Sequence, residues 1–306
     1  MHAHFYIRGL EKARRKNRAR GLHTSAAMET VRWLHQLFGG QAYPFFLGIT
    51  YLGSSVFLWP VILLWYWLFD PRLARRLGLV LAMSVVINQL LKTAVGSSRP
   101  YDLDDELASE TARRTGTGHG FPSGHTQNTA TFWPSVALCL HRRWLWGLAA
   151  FLILAVGISR LALGVHLPGD VIGGAVFGLV IAWVGSRMPA RPENAPRSAW
   201  APLPVIAGLG LSFLDAIRPE ALALLVAFLL VRPDFVAPRT WRRRLLMAAG
   251  GIACVGLAGF LLLWLPEKAA ETWAAAPAVA YLGALAVAWV ALEGWPRLWM
   301  RFDVRS

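Results

Sequence analysis

Residues 144–163 read WLWGLAAFLILAVGISRLAL, a run with a single charged side chain, Arg160, near its end. A helix of about 20 apolar residues is long enough to cross the hydrocarbon core of a bilayer. The whole chain has the same character, since 56% of its 306 residues are hydrophobic and its mean hydropathy is +0.44. A soluble domain rarely reaches this hydropathy, because its surface would have to be apolar. The sequence therefore predicts an all-α protein that crosses a membrane several times.

Outward from this run, the apolar stretches predict a polytopic helical bundle. We expect spans at about 44–69, 77–95, 127–141, 144–163, 170–187, 201–217, 220–231, 245–265 and 274–292. A polar, proline-containing segment separates the first five spans from the last four. The predicted organisation is a basic N-terminus with an interfacial amphipathic helix (1–43), a membrane core (44–187), a linker (188–200) and a C-terminal extension of unknown role (201–306).

The net charge of +14 comes largely from short basic clusters between the apolar runs. Such clusters mark cytoplasmic loops and attract anionic head groups, so membrane lipids rather than nucleic acid are the expected partners. With nine spans, the clusters at 72–76, 142–143 and 239–244 all lie on one side, which predicts the cytoplasm. The loops after the second and fourth spans then lie outside. The basic N-terminus would also lie outside, against the positive-inside rule.

These two outside loops carry polar residues that helix packing does not explain. The first contains KTAVGSSRP (92–100) and FPSGH (121–125), and the second is SRLALGVHLPGD (159–170). Each piece adjoins a predicted span, and spans of alternating direction bring all the pieces to one membrane face. The sequence therefore predicts one site that is built from three separate segments.

The residue types in these segments are suited to binding a phosphate group. Lys92, Arg99 and Arg160 are cations near the bilayer, where uncompensated charge is expensive. Their combined charge suits a dianionic phosphate, and arginine can bind its oxygens with two parallel hydrogen bonds. Ser123 and Gly124 precede a predicted helix, so their backbone N–H groups can bind an anion.

Two histidines suit two different roles in phosphoryl transfer. His166 lies four residues before Asp170, whose carboxylate can accept one ring N–H, so the other nitrogen is free to attack phosphorus. His125 can protonate the leaving alkoxide. Each residue also has an ordinary structural explanation, such as a snorkelling side chain for Lys92 or a helix N-cap for Asp170. The joint occurrence and order of the three segments favour the catalytic interpretation.

In these segments the sequence resembles the type-2 phosphatidic acid phosphatase superfamily, which includes bacterial lipid phosphatases and vanadium haloperoxidases. All three family motifs are complete, and the resemblance covers about residues 27–187. It implies that phosphate is held by Lys92, Arg99, Ser123, Gly124, His125 and Arg160. It also implies that His125 is the general acid, His166 the nucleophile that forms a phosphohistidine, and Asp170 its orienting partner. No metal or other cofactor is expected.

The resemblance predicts a hydrolase that releases phosphate from a lipid phosphomonoester or pyrophosphate, at the periplasmic face of a bacterial inner membrane. Candidate substrates are undecaprenyl pyrophosphate, phosphatidylglycerophosphate and phosphatidic acid. The alternatives are a lipid phosphotransferase that uses the same histidine, a vanadate-dependent haloperoxidase, and a transporter or scaffold on the same fold. Long apolar spans argue against the haloperoxidase, whose relatives are soluble. The intact set of His125, His166 and Asp170 argues against a scaffold.

The chain departs from the commonest membrane members of this family in two ways. Two spans rather than three precede the first motif, and the C-terminal extension has no counterpart that we can assign. Within the extension, Asp215, Arg218 and Glu220 lie at an expected helix end, so we interpret them as an exposed turn rather than a site. The acidic residues within 102–106 are interpreted as a solvated lid that pairs with the arginines at 113–114, rather than as a metal site.

Overall fold

The computed structural model describes residues 25–38, 43–116, 118–188, 202–232, 235–269 and 276–303, and these ranges are helical with no strand. The helices are 25–38 (α1), Tyr43–Tyr51 (α2), Ser55–Leu68 (α3), Pro71–Val95 (α4), Glu110–Arg114 (α5), Gly124–Leu140 (α6), Arg143–Ala162 (α7), Pro168–Arg187 (α8), Pro202–Leu211 (α9), Pro219–Leu230 (α10), Trp241–Ala269 (α11), Ala276–Trp289 (α12) and Trp295–Asp303 (α13). The predicted all-α membrane fold is thereby confirmed. All but the first residue of the predicted linker, and the first 24 residues of the chain, lie outside the described residues.

Each predicted span corresponds to a described helix or helix pair, but not all of them have the predicted length. Five helical segments are long and apolar enough to cross a bilayer, and the pair α2–α3, bent by 43°, makes a sixth. The helices α6, α9 and α10 have only 17, 10 and 12 residues. The runs at 127–141 and 220–231 were already predicted to be this short, whereas the run at 201–217 was predicted to be longer than α9. An apolar run indicates burial, and sequence alone does not separate burial in lipid from burial among other helices.

The short helix α6 is the centre of the membrane core, packed between α4, α7 and α8. Gln127 on α6 donates to the carbonyl and the hydroxyl oxygen of Ser84 on α4, at 2.9 and 3.1 Å, and accepts from the amide of Asn88 at 2.9 Å. Thr131 donates to the same hydroxyl at 3.0 Å. Because these buried polar groups are paired with one another, they fix the rotation and height of α6 against α4.

The close approach of α8 to α6 depends on two glycines. A Cβ atom on Gly174 would lie 2.5 Å from the carbonyl oxygen of Ser123, and one on Gly178 would lie 2.5 Å from that of Gln127. Real Cβ atoms do not approach this closely, so only glycine is accommodated at these two positions. The first turn of α8 is thereby brought against the first turn of α6.

The C-terminal extension is joined to the core through the π-helical turn Val290–Gly294. A π-helical turn is a rare break in the regular hydrogen-bonding pattern of a helix. In this turn the carbonyl oxygen of Leu292 accepts from the hydroxyl of Tyr66 at 2.8 Å, and that of Ala291 accepts from the indole of Trp67 at 2.9 Å. Both aromatic side chains belong to α3 and are buried. The extension is therefore held by specific polar contacts inside an apolar interface.

At the opposite end of α4 from Lys92, two arginines hold the ends of neighbouring helices. Arg75 donates to carbonyl oxygens of the last turn of α10, and Arg76 donates to those of Gly185 and Ser186 at the end of α8. Cations at helix C-termini satisfy free carbonyl groups and interact favourably with the helix dipole. Two members of the basic cluster at 72–76 thus have a packing role besides any effect on orientation.

The helix α1 covers the predicted amphipathic segment and lies at the same end of the bundle as the loops after α4 and α7. Val31 on its buried face packs against Leu107, and Arg32 forms an ion pair with Asp104 at 2.8 Å. An odd number of spans places the N-terminal segment on the same side of the membrane as these two loops, which agrees with this position of α1. In the same loop, Asp105 pairs with Arg113 at 3.3 Å, as expected, whereas the second arginine pairs with Glu110 instead.

Candidate active site

The three motif segments meet at the end of the bundle where α4 and α7 end and where α6 and α8 begin. Lys92 lies in the last turn of α4 and Arg160 in the last turn of α7. Ser123 directly precedes α6, and its backbone N–H donates to the backbone carbonyl of Asp170, in the first turn of α8, at 2.9 Å. The structure therefore brings the second and third segments into direct contact.

His166 and Asp170 form a buried pair in the short loop and first turn that connect α7 to α8. The ring Nδ1 of His166 lies 3.3 Å from Oδ2 of Asp170, and the same oxygen accepts the backbone N–H of Leu167 at 2.9 Å. The other ring nitrogen, Nε2, lies 3.4 Å from Nη1 of Arg99. When the proton of the neutral ring is on Nδ1, it is donated in a hydrogen bond to the carboxylate. Nε2 then keeps its lone pair and faces the cations.

The surroundings of His166 favour its neutral form. Burial lowers the pKa of this imidazole well below its ordinary value, and the nearby positive charges of Arg99, Arg160 and Lys92 lower the pKa further. A neutral ring is the form that can act as a nucleophile at neutral pH.

Arg99 is held rigidly although it lies in a loop. Its Nε donates to the carbonyl oxygen of Gly118 at 2.8 Å, and Nη1 donates to that of Val165 at 3.0 Å. Its backbone N–H donates to the carboxylate of Asp102 at 2.7 Å. The side chain is only 2% exposed, so its guanidinium is fixed beside the histidine. Asp102 of the acidic segment thus holds the backbone of Arg99, one of the predicted phosphate-binding residues, and the sequence did not indicate this contact.

Arg160 is fully buried and uses only part of its hydrogen-bonding capacity. Its Nη1 donates to the hydroxyl of Thr50 on α2 at 2.7 Å and to that of Thr115 at 2.8 Å. Its Nε and Nη2 have no hydrogen-bond partner within the described part of the chain. A buried guanidinium with two unsatisfied N–H positions is costly unless an anion completes it. This observation points to an oxyanion-binding site.

A glycine-rich loop, which the sequence reasoning did not select, surrounds the cations. A Cβ atom on Gly116 would lie 2.5 Å from Nη1 of Arg99 and 3.1 Å from Nη2 of Arg160. The ammonium of Lys92 donates to the carbonyl oxygens of His119 and Gly120 in the same loop. The repeated glycines of GTGHG, residues 116–120, were a visible signal for such a close approach.

These residues form one end of a cavity of about 630 Å³. From the predicted set, the residues that line it are Lys92, Arg99, Gly124, His125 and His166. Ser123, Arg160 and Asp170 are not part of this lining, but Arg160 donates to Thr115 and Asp170 pairs with His166, and both of these partners line the cavity. Asn88, Gln89 and Asn128 also line the cavity, and the sequence analysis did not include them.

The other wall of the cavity comes from the C-terminal extension. Asp215, Arg218 and Glu220, at the turn before α10 and in its first turn, all line the same space as the histidines. All three side chains are exposed and lie at a turn and helix start, as expected, and this turn also borders the cavity. The turn packs against α4, where the backbone N–H of Arg218 donates to the side-chain oxygen of Gln89 at 2.6 Å. Nothing in the local sequence indicates this long-range contact.

Comparison with known proteins agrees with the three motifs. Phosphatidylglycerophosphatase B of Bacillus subtilis (strain 168) is 33% identical over 147 residues, which cover 44% of this chain and 68% of that protein. Lipid A 4'-phosphatase of Bacteroides thetaiotaomicron is 28% identical over 161 residues, covering 49% of this chain and 67% of that protein.

Among solved structures, the chain is similar to a transmembrane PAP2 type phosphatidylglycerolphosphate phosphatase from Bacillus subtilis. The TM-score is 0.46 at 26% sequence identity, over 54% of this chain and 84% of that one. Residues 73–193 match the family described as the PAP2 superfamily. The resemblance seen in the motifs is confirmed, and this integral membrane protein belongs to the PAP2 superfamily.

Proposed function

We propose that this protein releases phosphate from a membrane lipid through a phosphohistidine formed at His166. Its family and its relatives identify it as a hydrolase of lipid phosphate esters, as the motifs predicted. The observation that carries the finer proposal is the buried His166–Asp170 pair beside a fully buried arginine with unsatisfied N–H groups. His166 and the cations Lys92 and Arg99 line the same cavity.

In the first step, Nε2 of His166 attacks phosphorus and the bond from phosphorus to the lipid oxygen breaks. With the negatively charged phosphate bound beside it, His125 is favoured in its protonated form and donates its proton to the departing alkoxide, because an unprotonated alkoxide is a poor leaving group. The non-bridging oxygens are bound by Lys92, Arg99 and Arg160. Asp170 accepts the N–H at Nδ1 and stabilises the positive charge that the ring gains on phosphorylation.

In the second step, water replaces the lipid and the bond between Nε2 and phosphorus breaks. His125, which gave up its proton in the first step, takes one from the attacking water. Inorganic phosphate then leaves and His166 returns to its neutral form. His125 thus acts as a general acid in the first step and as a general base in the second, as is usual in a double-displacement mechanism.

The substrate class and the side of the membrane are part of the proposal. Phosphatidylglycerophosphate, phosphatidic acid and undecaprenyl pyrophosphate are the candidates, and relatives named for phosphatidylglycerophosphate and for lipid A support a lipid phosphate. The basic clusters at the opposite end of the bundle support a periplasmic active site in a bacterial inner membrane.

The test is phosphate release by detergent-purified protein over a panel of these lipids. We expect His166→Ala to lower turnover by at least about a thousandfold, because the nucleophile is absent. His141→Asn is the matched control. His141 ends α6 at the other end of that helix with φ +52°, a conformation that asparagine tolerates. Equal turnover by the wild type and His166→Ala would exclude the mechanism.

A further inference from the structure

We infer that the C-terminal extension recognises the polar group that carries the phosphate, and that Asp215, Glu220 and Asn128 bind hydroxyls on that group. This inference rests on the lipid phosphatase activity proposed above. It assigns a role to the extension, which lies outside the part of the chain that matches the family, residues 73–193.

The first support is that the extension is fixed relative to the phosphate site. Ala221 and Leu222 on α10 are buried against Val86 of α4, and the hydrogen bond from Arg218 to Gln89 holds the start of α10. The same helix α4 carries Lys92 one turn further on. The distance between the two walls of the cavity is therefore set by helix packing rather than by a free loop.

The second support is a buried amide with an unused hydrogen-bonding position. Asn128 lies about one turn after His125 on α6, lines the cavity and is 7% exposed. Its Oδ1 has no hydrogen-bond partner among the residues that the structure describes. The amide of the preceding residue, Gln127, is by contrast engaged with α4. An unpaired buried amide beside the acid that protonates the leaving group is placed to contact that group.

The third support is the chemistry of the extension wall. Carboxylates are hydrogen-bond acceptors, so Asp215 and Glu220, which are exposed at the cavity wall, are suited to bind donors on a ligand. Hydroxyl groups of a glycerol or a sugar supply such donors.

The rest of this part of the lining is apolar and suits a hydrocarbon chain. Ala221 and Leu224 of the extension and Trp59 and Val85 of the core all line the cavity. A free sugar phosphate would leave this surface uncovered, whereas a lipid with a hydroxylated, phosphorylated head group would use both kinds of lining. The ligand that matches the whole cavity is therefore a lipid with a hydroxylated, phosphorylated head group.

The experiment compares two lipids that have the same acyl chains. Phosphatidylglycerophosphate carries its phosphate on a glycerol with a free hydroxyl, and phosphatidic acid has no such hydroxyl. We expect Asp215→Ala, Glu220→Ala and Asn128→Ala each to lower kcat/KM for the first lipid by about tenfold, while that for the second stays within about twofold. Glu110→Ala is the control, because Glu110 is an exposed carboxylate at the same end of the bundle that does not line the cavity.

The possible results of this experiment distinguish failure of the inference from failure of the proposed function. A ratio of the two kcat/KM values that is unchanged in all three variants overturns the inference but leaves the lipid phosphatase intact. Release of phosphate from neither lipid by the wild type overturns the proposed function itself. Glucose 6-phosphate serves as a third substrate. If the wild type hydrolyses it faster than both lipids, and the three variants do not, the hydroxyls that the protein recognises belong to a free sugar. That result would contradict the inference that they belong to a lipid head group.

Discussion

Arg160 is a buried side chain that contacts two distant threonines and that we propose binds the phosphate group. Two threonine hydroxyls accept from one of its terminal nitrogens, and its Nε and Nη2 have no partner among the residues that the structure describes. The motif around residue 160 was recognisable in the sequence, and so was its suitability for phosphate. Thr50 and Thr115 were not, because they come from distant parts of the chain and only the fold brings them together.

We predict that Arg160→Lys lowers kcat/KM at least about a hundredfold, because a lysine ammonium cannot reproduce the planar set of donors. Thr50→Val, which keeps the shape of the side chain, should lower kcat/KM by about tenfold through misplacement of the guanidinium. Thr50→Ser should restore most of this loss. Steady-state kinetics of the three purified variants measure these effects, and a Thr50→Val enzyme with wild-type kinetics would argue against positioning by Thr50.

A second prediction compares two adjacent residues on α6. Gln127→Ala removes three hydrogen bonds in a buried network and should lower the free energy of unfolding by about 2–4 kcal/mol. Asn128→Ala should cost markedly less, because the Oδ1 of Asn128 has no partner within the described residues. Thermal unfolding in detergent reports both. A large loss of stability in Asn128→Ala would assign that residue to the structure rather than to a ligand.

A third prediction concerns the protonation of His166. Its pKa is lowered by burial and by neighbouring cations, so the folded protein keeps the ring neutral at pH values where free histidine is already charged. The unfolded chain binds this proton more readily, and the group therefore contributes a loss of stability as the pH falls below the ordinary histidine range. Histidine-selective NMR labelling, with His166→Asn to assign the resonance, measures the titration. A midpoint at or above that of free histidine would contradict this description.

At the scale of the elements, the apolar runs predicted where helices occur but not how they bend. The run at 44–69 was interpreted as one span, and the structure divides it at Gly53 into α2 and α3. A Cβ atom at this glycine would lie 2.5 Å from the hydroxyl of Thr129 and 2.7 Å from the carbonyl of His125. The bend therefore exists where another helix comes too close for any side chain, and a contact of this kind leaves no periodic signal.

We predict that Gly53→Ala lowers both the melting temperature and kcat, because it pushes the break between α2 and α3 away from the first turn of α6. The control is Gly48→Ala in the middle of α2, where an added Cβ atom meets nothing within 4 Å. That change should stabilise the helix by up to about 1 kcal/mol and leave activity unaltered. Similar behaviour of the two variants would contradict the contact at Gly53.

The motifs and the alternation of spans were sufficient to predict that the three segments share one face. They could not supply the glycine-rich loop around the cations or the contribution of the extension. Those features depend on contacts such as that between Arg218 and Gln89, which are far apart in the sequence. The eight site residues could be predicted from the sequence because their types and spacing are typical of phosphate-binding motifs. The remaining residues that line the cavity could not be predicted, because their types are common and form no motif.

At the scale of the whole molecule, the fifth prediction fixes the orientation in the membrane. In a background with Cys139 and Cys254 replaced by alanine, Glu110→Cys lies at the active-site end and Arg142→Cys at the other. A membrane-impermeant thiol reagent should label the first in intact cells and the second only after permeabilisation, because the basic clusters favour the cytoplasm. The reverse pattern would place the active site in the cytoplasm.

The polar contacts at the π-helical turn have a consequence for engineering. Tyr66 and Trp67 belong to the catalytic core, yet the carbonyl groups that satisfy them belong to the extension. A truncated enzyme would lose the carbonyl groups that this hydroxyl and this indole N–H donate to, within an apolar interface. The core is thus not an interchangeable module, and a chimera that imports this extension to change specificity would have to import the two aromatic residues as well.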